Sequence, residues 1–321
     1  MNVLITGGAG YIGSVTAELF LNNKHNVIIY DDLSTGFLKL VDKRAKFVKG
    51  SILNYSLLCK TIKENKIDLI LHLAAKIVVS ESVRKHALYH KVNVNGTANI
   101  LKAMEKLHVN KILFASSAAV YGNIKKSVIT ENCIKKPCNP YGETKLIGEQ
   151  LIKNHKKTHK NFNYVCLRLF NVAGASDSGK YGLLKVKPYL LIPCINDSFR
   201  LNKEFNIFGN NYKTIDKTAS RDYIDVNDIA KAFFLASSYV NTKSGIFNIG
   251  NQKGSTVKQV YDEACKVLKK KPNFIYKPNR PGDPDSLLAS NQLAKKELKW
   301  KPTHSIKQMI LADYKYRSKN L

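Results

Sequence analysis

Tyr141 and Lys145 stand four residues apart at the start of a predicted helix, in the string Tyr141-Gly142-Glu143-Thr144-Lys145. This spacing puts both side chains on one helix face, about one turn apart. A free tyrosine with a pKa of about 10 is a poor base at neutral pH, but a neighbouring ammonium group favours its phenolate form. We therefore expect Tyr141 to remove a proton from a hydroxyl group of a substrate.

A serine at the end of a predicted strand strengthens this interpretation. Tyrosine and lysine at this spacing usually only decorate an exposed helix, so the pair alone is a weak signal. Ser117, however, directly follows the predicted strand Lys111 to Ser116. Functional groups gather at the carboxyl ends of parallel strands, so we expect Ser117 to hydrogen-bond the same substrate hydroxyl.

A glycine-rich turn follows the first predicted strand, in the string Gly7-Gly8-Ala9-Gly10-Tyr11-Ile12-Gly13. Glycines at this spacing permit a tight turn and bring the backbone close to a diphosphate, which then lies at the amino terminus of the next helix. The second strand ends in Asp31 and Asp32, where a carboxylate accepts hydrogen bonds from ribose hydroxyls and repels a 2′-phosphate. This combination predicts a dinucleotide site and favours NAD over NADP.

Short apolar runs alternate with helical patterns through the first half of the chain. The predicted strands are Asn2 to Thr6, Asn26 to Asp31, Lys46 to Val48, Leu69 to His72, Lys111 to Ser116 and Tyr164 to Leu169; the predicted helices are Gly13 to Asn23, Ser56 to Asn65, Asn93 to Leu107 and Tyr141 to His155. Such alternation predicts an α/β protein with a Rossmann-type, doubly wound parallel sheet. The pattern loosens after Asn171, so we expect a cofactor domain at 1–170 and a smaller substrate domain at 171–321, with some later segments returning to the first domain.

The chain carries 52 Lys+Arg against 24 Asp+Glu among 321 residues, a formal net charge of +28. Such an excess often marks binding to nucleic acid or membranes. Here it consists mostly of scattered lysines, which indicates a solvated surface and predicts neither a nucleic-acid nor a membrane partner. The six cysteines form no Cys-x-x-Cys pair and no metal-ligand spacing with the eight histidines, so we expect no metal. Without a long apolar run, a reducing cytoplasmic location is expected.

With these motifs in place, the chain resembles the extended short-chain dehydrogenase/reductase superfamily and, within it, the UDP-glucose 4-epimerase branch, over essentially its whole length. The early motifs, including His72-Leu73-Ala74-Ala75 and Arg168-Leu169-Phe170-Asn171, occur throughout the superfamily. The segments Ile207-Phe208-Gly209, Arg221-Asp222-Tyr223 and Arg280-Pro281-Gly282-Asp283 are similar to those that hold a UDP-sugar. The combination is more specific than any one motif.

The resemblance implies a role for each matching residue. The implied catalytic residues are Ser117, Tyr141 and Lys145. The implied NAD-binding residues are Gly7, Gly10, Tyr11, Ile12, Gly13, Asp31, Asp32, Leu33, Ser34, Thr35, Gly36, Ser51, Ile52, Leu73, Ala74, Ala75, Asn93, Ser116, Tyr141, Lys145 and Phe170. The implied UDP-sugar-binding residues are Ser117, Tyr141, Asn171, Asn206, Ile207, Phe208, Arg221, Arg280 and Asp283. A homodimer through Asn93 to Lys106 and Tyr141 to His155 is also implied.

The implied reaction is inversion at C4 of the hexose in UDP-glucose or UDP-galactose through a transient 4-keto sugar, with NAD as a bound catalytic cofactor. A 4,6-dehydratase needs acidic residues after the serine, whereas this chain has Ala118 and Ala119. Another UDP-sugar epimerase or an enzyme acting on a UDP-uronic acid remains an alternative. From a different class, a dinucleotide-binding regulator or RNA-associated protein is less favoured, because a sensor does not need Tyr141 and Lys145.

The chain departs from this pattern at several positions. Ser51 stands where many relatives place an aspartate against adenine, and Ile77 stands where one branch has a lysine. Val92 and Leu190 replace polar residues expected near the ligands. Leu287 lies where side-chain bulk decides whether an N-acetylated sugar fits, and its intermediate size leaves that question open.

Overall fold

The computed structural model describes residues 1–124, 128–279 and 284–321. Its strands are β1 Asn2–Thr6, β2 Asn26–Asp31, β3 Lys46–Lys49, β4 Leu69–His72, β5 Lys111–Ser117, β6 Asn163–Leu169, β7 Asn171–Ala173, β8 Phe205–Phe208, β9 Ser220–Asp225, β10 Gly245–Ile249, β11 Gly254–Thr256, β12 Phe274–Lys277 and β13 Ser286–Leu287. Its α-helices are α1 Tyr11–Asn22, α2 Tyr55–Glu64, α3 Val79–Arg84, α4 His86–Tyr89, α5 Gly96–Lys106, α6 Pro140–Thr158, α7 Leu191–Leu201, α8 Val226–Tyr239, α9 Val257–Leu268, α10 Gln292–Glu297 and α11 Ile306–Asn320. A π-helical stretch, His90–Asn95, joins α4 to α5.

A seven-stranded sheet runs in the order β3-β2-β1-β4-β5-β6-β10. The pairs from β3 through β6 are parallel. The strand order reverses between β1 and β4, as it does in dinucleotide-binding folds, and ligands bind at the carboxyl ends of the strands around this point. The predicted Rossmann-type doubly wound sheet is confirmed, and the six predicted strands match β1 to β6 to within one residue at either end.

The central strands form because they are almost continuously apolar and are covered on both faces, as is typical of parallel sheets. Val3, Leu4 and Ile5 in β1 have no exposed surface, and neither do Ile70 and Leu71 in β4. One apolar cluster joins this sheet to α2 and α5. The rigid sheet therefore fixes the loops that follow β1, β4 and β5.

The chain divides into two compact units. Unit 1 comprises Met1–Gly122, Ile134–Leu169 and Ala230–Phe247, and unit 2 comprises Asn123–Cys133, Phe170–Ile229 and Asn248–Leu321. In unit 2, β7, β9, β11 and β13 form one sheet, and β8 pairs with β12. A separate apolar cluster packs α7, α9 and α11 together. The assignment of cofactor binding to one part and substrate binding to the other stays a prediction.

Candidate active site

Tyr141 and Lys145 lie in the first turns of α6, as the sequence predicts. The helix begins here because the Asn139 side chain accepts a hydrogen bond from the Gly142 amide at 2.9 Å and Pro140 occupies the first turn. Lys145 is buried, and its Nζ donates to the carbonyl oxygen of Ala115 at 2.8 Å. The same Nζ lies 6.0 Å from the centre of the Tyr141 ring. The helix thus brings the half-buried tyrosine and the buried lysine together.

Burial dominates the titration of both groups. It raises the pKa of Tyr141, while a hydrogen bond from Ser117 lowers it in part. Burial also lowers the pKa of Lys145 to about 8. Without a cofactor the pKa of Tyr141 is therefore raised, since desolvation outweighs the favourable contacts. The lowering expected from Lys145 together with a bound nicotinamide stays a prediction. Lys145 still carries its proton at neutral pH, and that charge favours phenolate once the tyrosine gives up its own proton.

Ser117 ends β5 and precedes a short 3-10 helix, Ala118–Tyr121. Its Oγ accepts a hydrogen bond from the Ala119 amide at 3.2 Å, which holds the side chain in one orientation. The hydroxyl group also contacts Tyr141. The structure therefore brings the three predicted catalytic side chains together within unit 1.

A buried ion pair joins α6 to β6 next to these residues, and sequence reasoning missed it. Arg168 on β6 donates from Nε and Nη2 to the two carboxylate oxygens of Glu149 at 2.8 and 2.7 Å. Glu149 Oε1 also accepts from Ser116 Oγ at 2.6 Å, and Arg168 Nη1 donates to Tyr121 at 2.7 Å. We call these four residues the Glu149–Arg168 network. The Ser116 hydroxyl donates its hydrogen to Glu149. The predicted contact of Ser116 with a cofactor would therefore be made by its backbone.

The glycine-rich turn has the close packing that its glycines require. Gly7 adopts a φ of +74°, and a Cβ there would lie 2.6 Å from the Ala74 amide nitrogen. A Cβ on Gly13 would lie 2.2 Å from the Gly7 oxygen, whereas one on Gly10 would meet only that oxygen, at 3.2 Å. The first turn of α1 contains no acidic residue. Its amides and dipole therefore suit a diphosphate, so these residues fit a dinucleotide.

Asp31 lies at the end of β2 and is held by the glycine-rich turn. Its carboxylate accepts hydrogen bonds from the Ala9 and Leu33 amides at 3.0 and 2.8 Å. Burial raises the pKa of Asp31, and the two amides oppose that rise. Two amide bonds leave further lone pairs on the carboxylate for ribose hydroxyls. Asp32 is exposed and accepts from the Ser34 amide at 2.9 Å.

The other predicted cofactor residues of unit 1 occupy the loops after the strands. Asn93 is buried, and both hydrogens of its amide are used, by the Lys76 carbonyl and the Thr144 hydroxyl. Its side chain therefore has no donor left for a ligand, and it positions Lys76 and Thr144 instead. Ile52 is buried and packs against Gly96. The remaining predicted side chains in these loops are half-buried or exposed: Leu33, Ser34, Thr35, Ser51, Leu73, Ala74 and Ala75.

His72 at the end of β4 is a second group that sequence reasoning did not assign. Its Nδ1 lies 2.8 Å from Thr6 Oγ1, and its Nε2 lies 3.1 Å from Thr97 Oγ1. Since the Thr97 hydroxyl donates to the Asn93 carbonyl, Nε2 carries the proton and Nδ1 accepts. Burial, and secondarily the Lys145 charge, lower the His72 pKa to about 3. This neutral imidazole ties β1 and β4 to α5 without titrating near neutral pH.

Among the predicted substrate residues of unit 2, Asn171 and Arg221 donate hydrogen bonds to backbone carbonyls, and the other described ones belong to strand β8. Asn171 donates to the Asp222 carbonyl at 3.1 Å, and Arg221 Nη1 donates to the Ser220 carbonyl at 2.6 Å. In β8, side chains alternate, so Asn206 and Phe208 are exposed while Ile207 has no exposed surface.

Ile207 belongs to the core of unit 2, so it offers a ligand only its backbone. Phe170 is also buried, and its amide donates to the Ile249 carbonyl. The residues that depart from the family pattern, Val92, Leu190 and Leu287, are half-buried, and Ile77 is exposed. Arg280 and Asp283 lie outside the described residues.

One cluster with metal-type ligands stands apart from these residues. Glu105, His155 and His159 place one ligand atom each within 4.8 Å of one another. The two imidazole rings, however, stack with a 4.0 Å centroid separation and a 16° interplanar angle. The arrangement is therefore a stacked imidazole pair beside a carboxylate. In the sequence, the four-residue spacing of His155 and His159 was the signal that could have indicated this cluster.

No helix among the described residues is long and apolar enough to cross a membrane.

Comparisons with known proteins agree over nearly the whole chain. A model of the NAD dependent epimerase/dehydratase family matches residues 3–250. The UDP-glucose 4-epimerase of Lactobacillus helveticus is 39% identical over 315 residues, which cover 97% of this chain and 95% of that enzyme.

Two solved structures match the fold of this chain over nearly its full length. UDP-glucose 4-epimerase from Stenotrophomonas maltophila, with bound NAD and formylated UDP-arabinopyranose, matches with a TM-score of 0.96 at 33% identity, covering 99% of this chain and 98% of that one. The Bifidobacterium longum enzyme in complex with NAD⁺ and UDP matches with a TM-score of 0.94 at 33% identity, covering 100% and 99%.

Proposed function

This chain belongs to the NAD-dependent epimerase/dehydratase family, and we propose that it inverts C4 of a UDP-hexose, interconverting UDP-glucose and UDP-galactose. The assembly of Ser117, Tyr141 and Lys145 at the start of α6 carries this proposal, because it supplies a positioned base for a sugar hydroxyl. The full-length similarity to UDP-glucose 4-epimerases narrows the substrate to a UDP-hexose.

Tyr141 Oη is the proposed acceptor of the proton on the 4-hydroxyl group, and it returns that proton after the sugar has presented its other face. NAD, when bound, accepts and returns the hydride at C4. Ser117 Oγ stabilises the phenolate through its hydrogen bond to Tyr141 and orients the 4-hydroxyl group. Lys145 remains positively charged at neutral pH, since its pKa is about 8, and this charge stabilises the phenolate.

Unit 1 is the proposed NAD-binding part of the chain. The glycine-rich turn and the amino terminus of α1 would hold the diphosphate, and Asp31 the adenosine ribose. Unit 2 is the proposed UDP-binding part, with Asn171, Arg221 and the exposed residues of β8 as candidate contacts. An arginine fork suits a diphosphate better than the abundant lysines do.

The residues after Ser117 argue against dehydration. Ala118 and Ala119 begin the 3-10 helix, and neither side chain is able to move a proton. The comparisons likewise do not favour an enzyme acting on a UDP-uronic acid or a non-catalytic regulator. Formation of a homodimer through α5 and α6 and a cytoplasmic location remain proposals. The six free cysteines support a reducing compartment.

The decisive experiment mixes purified protein with UDP-galactose and measures UDP-glucose formed, using UDP-glucose dehydrogenase as the coupling enzyme. We expect turnover without added NAD, because the cofactor is regenerated in each cycle. Parallel assays with UDP-N-acetylgalactosamine test whether Leu287 leaves room for an N-acetyl group. A protein that turns over neither sugar, and that releases no NAD on denaturation, would contradict the proposal.

A further inference from the structure

The Glu149–Arg168 network connects four separate parts of unit 1 around the catalytic residues. Glu149 lies on α6 four residues after Lys145 and eight after Tyr141, so the three side chains follow one face of the helix. Arg168 lies on β6, Ser116 on β5, and Tyr121 ends the 3-10 helix. One carboxylate and one guanidinium group therefore join the catalytic helix to the segment that carries Ser117.

We propose that Glu149 and Arg168 are positioning residues that set the distance between the Ser117 and Tyr141 hydroxyl groups. This proposal rests on the proposed epimerase function and identifies two residues of its site that do not touch the substrate.

The contacts fix Ser117 from both sides. The residue before it, Ser116, donates to Glu149 at 2.6 Å. Four residues after it, Tyr121 accepts from Arg168 at 2.7 Å. Between these two anchors, the hydrogen bond from the Ala119 amide to Ser117 Oγ holds the start of the 3-10 helix. Because Glu149 belongs to the same helix as Tyr141, a movement of this carboxylate displaces Ser117 relative to the tyrosine.

The ion pair is not required for a packed interior. Both side chains are 1% exposed. Apolar residues of similar volume usually replace such a pair without loss of stability, since burying two charges carries a large desolvation cost. Burial lowers the pKa of Arg168, but hydrogen bonding to Glu149 more than reverses this, so the guanidinium group keeps its charge. What apolar residues do not supply is the fixed geometry of a bidentate pair with two further hydrogen bonds.

The chain offers a matched control in unit 2. Arg317 donates from Nε and Nη2 to the two carboxylate oxygens of Asp197 at 3.0 and 2.6 Å. This pair is also buried and bidentate, but it joins α7 to α11 and contacts none of the three catalytic residues. Asp197→Asn therefore perturbs stability in the same way as Glu149→Gln without touching the Ser117 segment.

The experiment measures the titration of Tyr141 directly in the purified, NAD-containing protein. Tyrosinate absorbance at 295 nm is recorded against pH for each variant, and the curve of the same variant carrying Tyr141→Phe is subtracted. We expect Glu149→Gln to move the Tyr141 midpoint up by about one pH unit, because the hydrogen bond from Ser117 that lowers its pKa is weakened. Asp197→Asn should leave the midpoint unchanged.

The sign of the shift separates positioning from charge. Glu149→Gln removes a negative charge and leaves Arg168 unpaired, and both changes by themselves favour the phenolate and move the midpoint down. A midpoint that falls or stays constant would overturn the inference. If Glu149→Gln does not fold, the double variant Glu149→Met/Arg168→Met provides the same test with the buried charge removed from both partners.

Turnover distinguishes this inference from the proposed function. With UDP-galactose, we expect Glu149→Gln to lower kcat/KM at pH 7 about tenfold, with the acidic limb of its pH profile shifted upward and the NAD content unchanged. If the wild type is active and Glu149→Gln changes turnover no more than Asp197→Asn does, only the positioning role is refuted. A wild-type protein that is inactive refutes the function, and the absorbance titration still decides the positioning.

Discussion

Lys145→Met should make the protein more stable at neutral pH while removing its activity. Burial lowers the pKa of Lys145 from 10.5 to about 8. At 1.36 kcal/mol per pH unit, carrying this charge in the interior costs ~3 kcal/mol. Methionine has a similar length and no charge, but it leaves the Ala115 carbonyl without its donor, which costs ~1–2 kcal/mol. The expected net gain is ~1–2 kcal/mol.

The pH dependence gives this prediction its sign. Below pH 8 the lysine is protonated in both the folded and the unfolded protein, so the buried charge destabilises the folded wild type by its full amount. Between about pH 8 and 10.5 the folded state loses its proton first, and the wild type gains stability as the pH rises. The advantage of Lys145→Met should therefore be largest at pH 7, disappear at about pH 9–9.5 and be reversed by about pH 10.5.

The assay is thermal unfolding of cofactor-free protein at several pH values, together with turnover of UDP-galactose. An advantage of ~1–2 kcal/mol corresponds to a midpoint about 2–6 °C higher at pH 7. Lys153→Met, an exposed position on the same helix, is the control and should change stability by no more than about 0.5 kcal/mol. A variant less stable than wild type at pH 7, or an advantage independent of pH, would refute the reasoning.

Three further predictions concern the proposed base, the glycine-rich turn and unit 2. Tyr141→Phe should lower turnover about 10²- to 10⁴-fold with bound NAD retained, as shown by absorbance of released cofactor; near-wild-type turnover would exclude Tyr141 as the base. Gly13→Ala should lower the thermal midpoint of cofactor-free protein because its Cβ would lie 2.2 Å from a carbonyl oxygen, whereas Gly10→Ala should preserve the midpoint and weaken NAD binding, measured by titration. Burial raises the pKa of Asp313 to about 7, so the protein should lose stability as pH rises from about 4 to 7. Asp313→Asn should reduce that loss in urea unfolding, and an equal loss in both proteins would contradict it.

The fold and the grouping of the candidate catalytic residues could be predicted from sequence because their signals are local. The alternation of apolar runs with helical patterns indicated β1 to β6, and a four-residue spacing placed Tyr141 beside Lys145. The glycine spacing likewise indicated a turn whose packing tolerates no side chain at Gly7 or Gly13. Each of these inferences depends on residues that are close together in the chain.

The rest depends on pairings between distant residues. Nothing near Glu149 in the sequence indicates that it binds Arg168 on β6 or that it accepts a hydrogen bond from Ser116. The burial of Lys145, which lowers its pKa, results from packing of the whole sheet. The inward position of Ile207 follows from strand alternation, but only once the bounds of β8 are known.

The path of the chain between the two units determines when each can form during synthesis. Unit 1 includes Ala230–Phe247, and these residues provide most of β10, the neighbour of β6. After Leu169 emerges, roughly 80 further residues must be made before this edge strand is available, which takes ~4–16 s at bacterial-type translation rates. Until then the apolar edge of β6 has no partner on that side, and exposed edges pair readily with other chains. The nascent protein should therefore be most prone to aggregation in that interval, and a ribosome stalled just before Gly245 should hold the most chaperone-dependent intermediate.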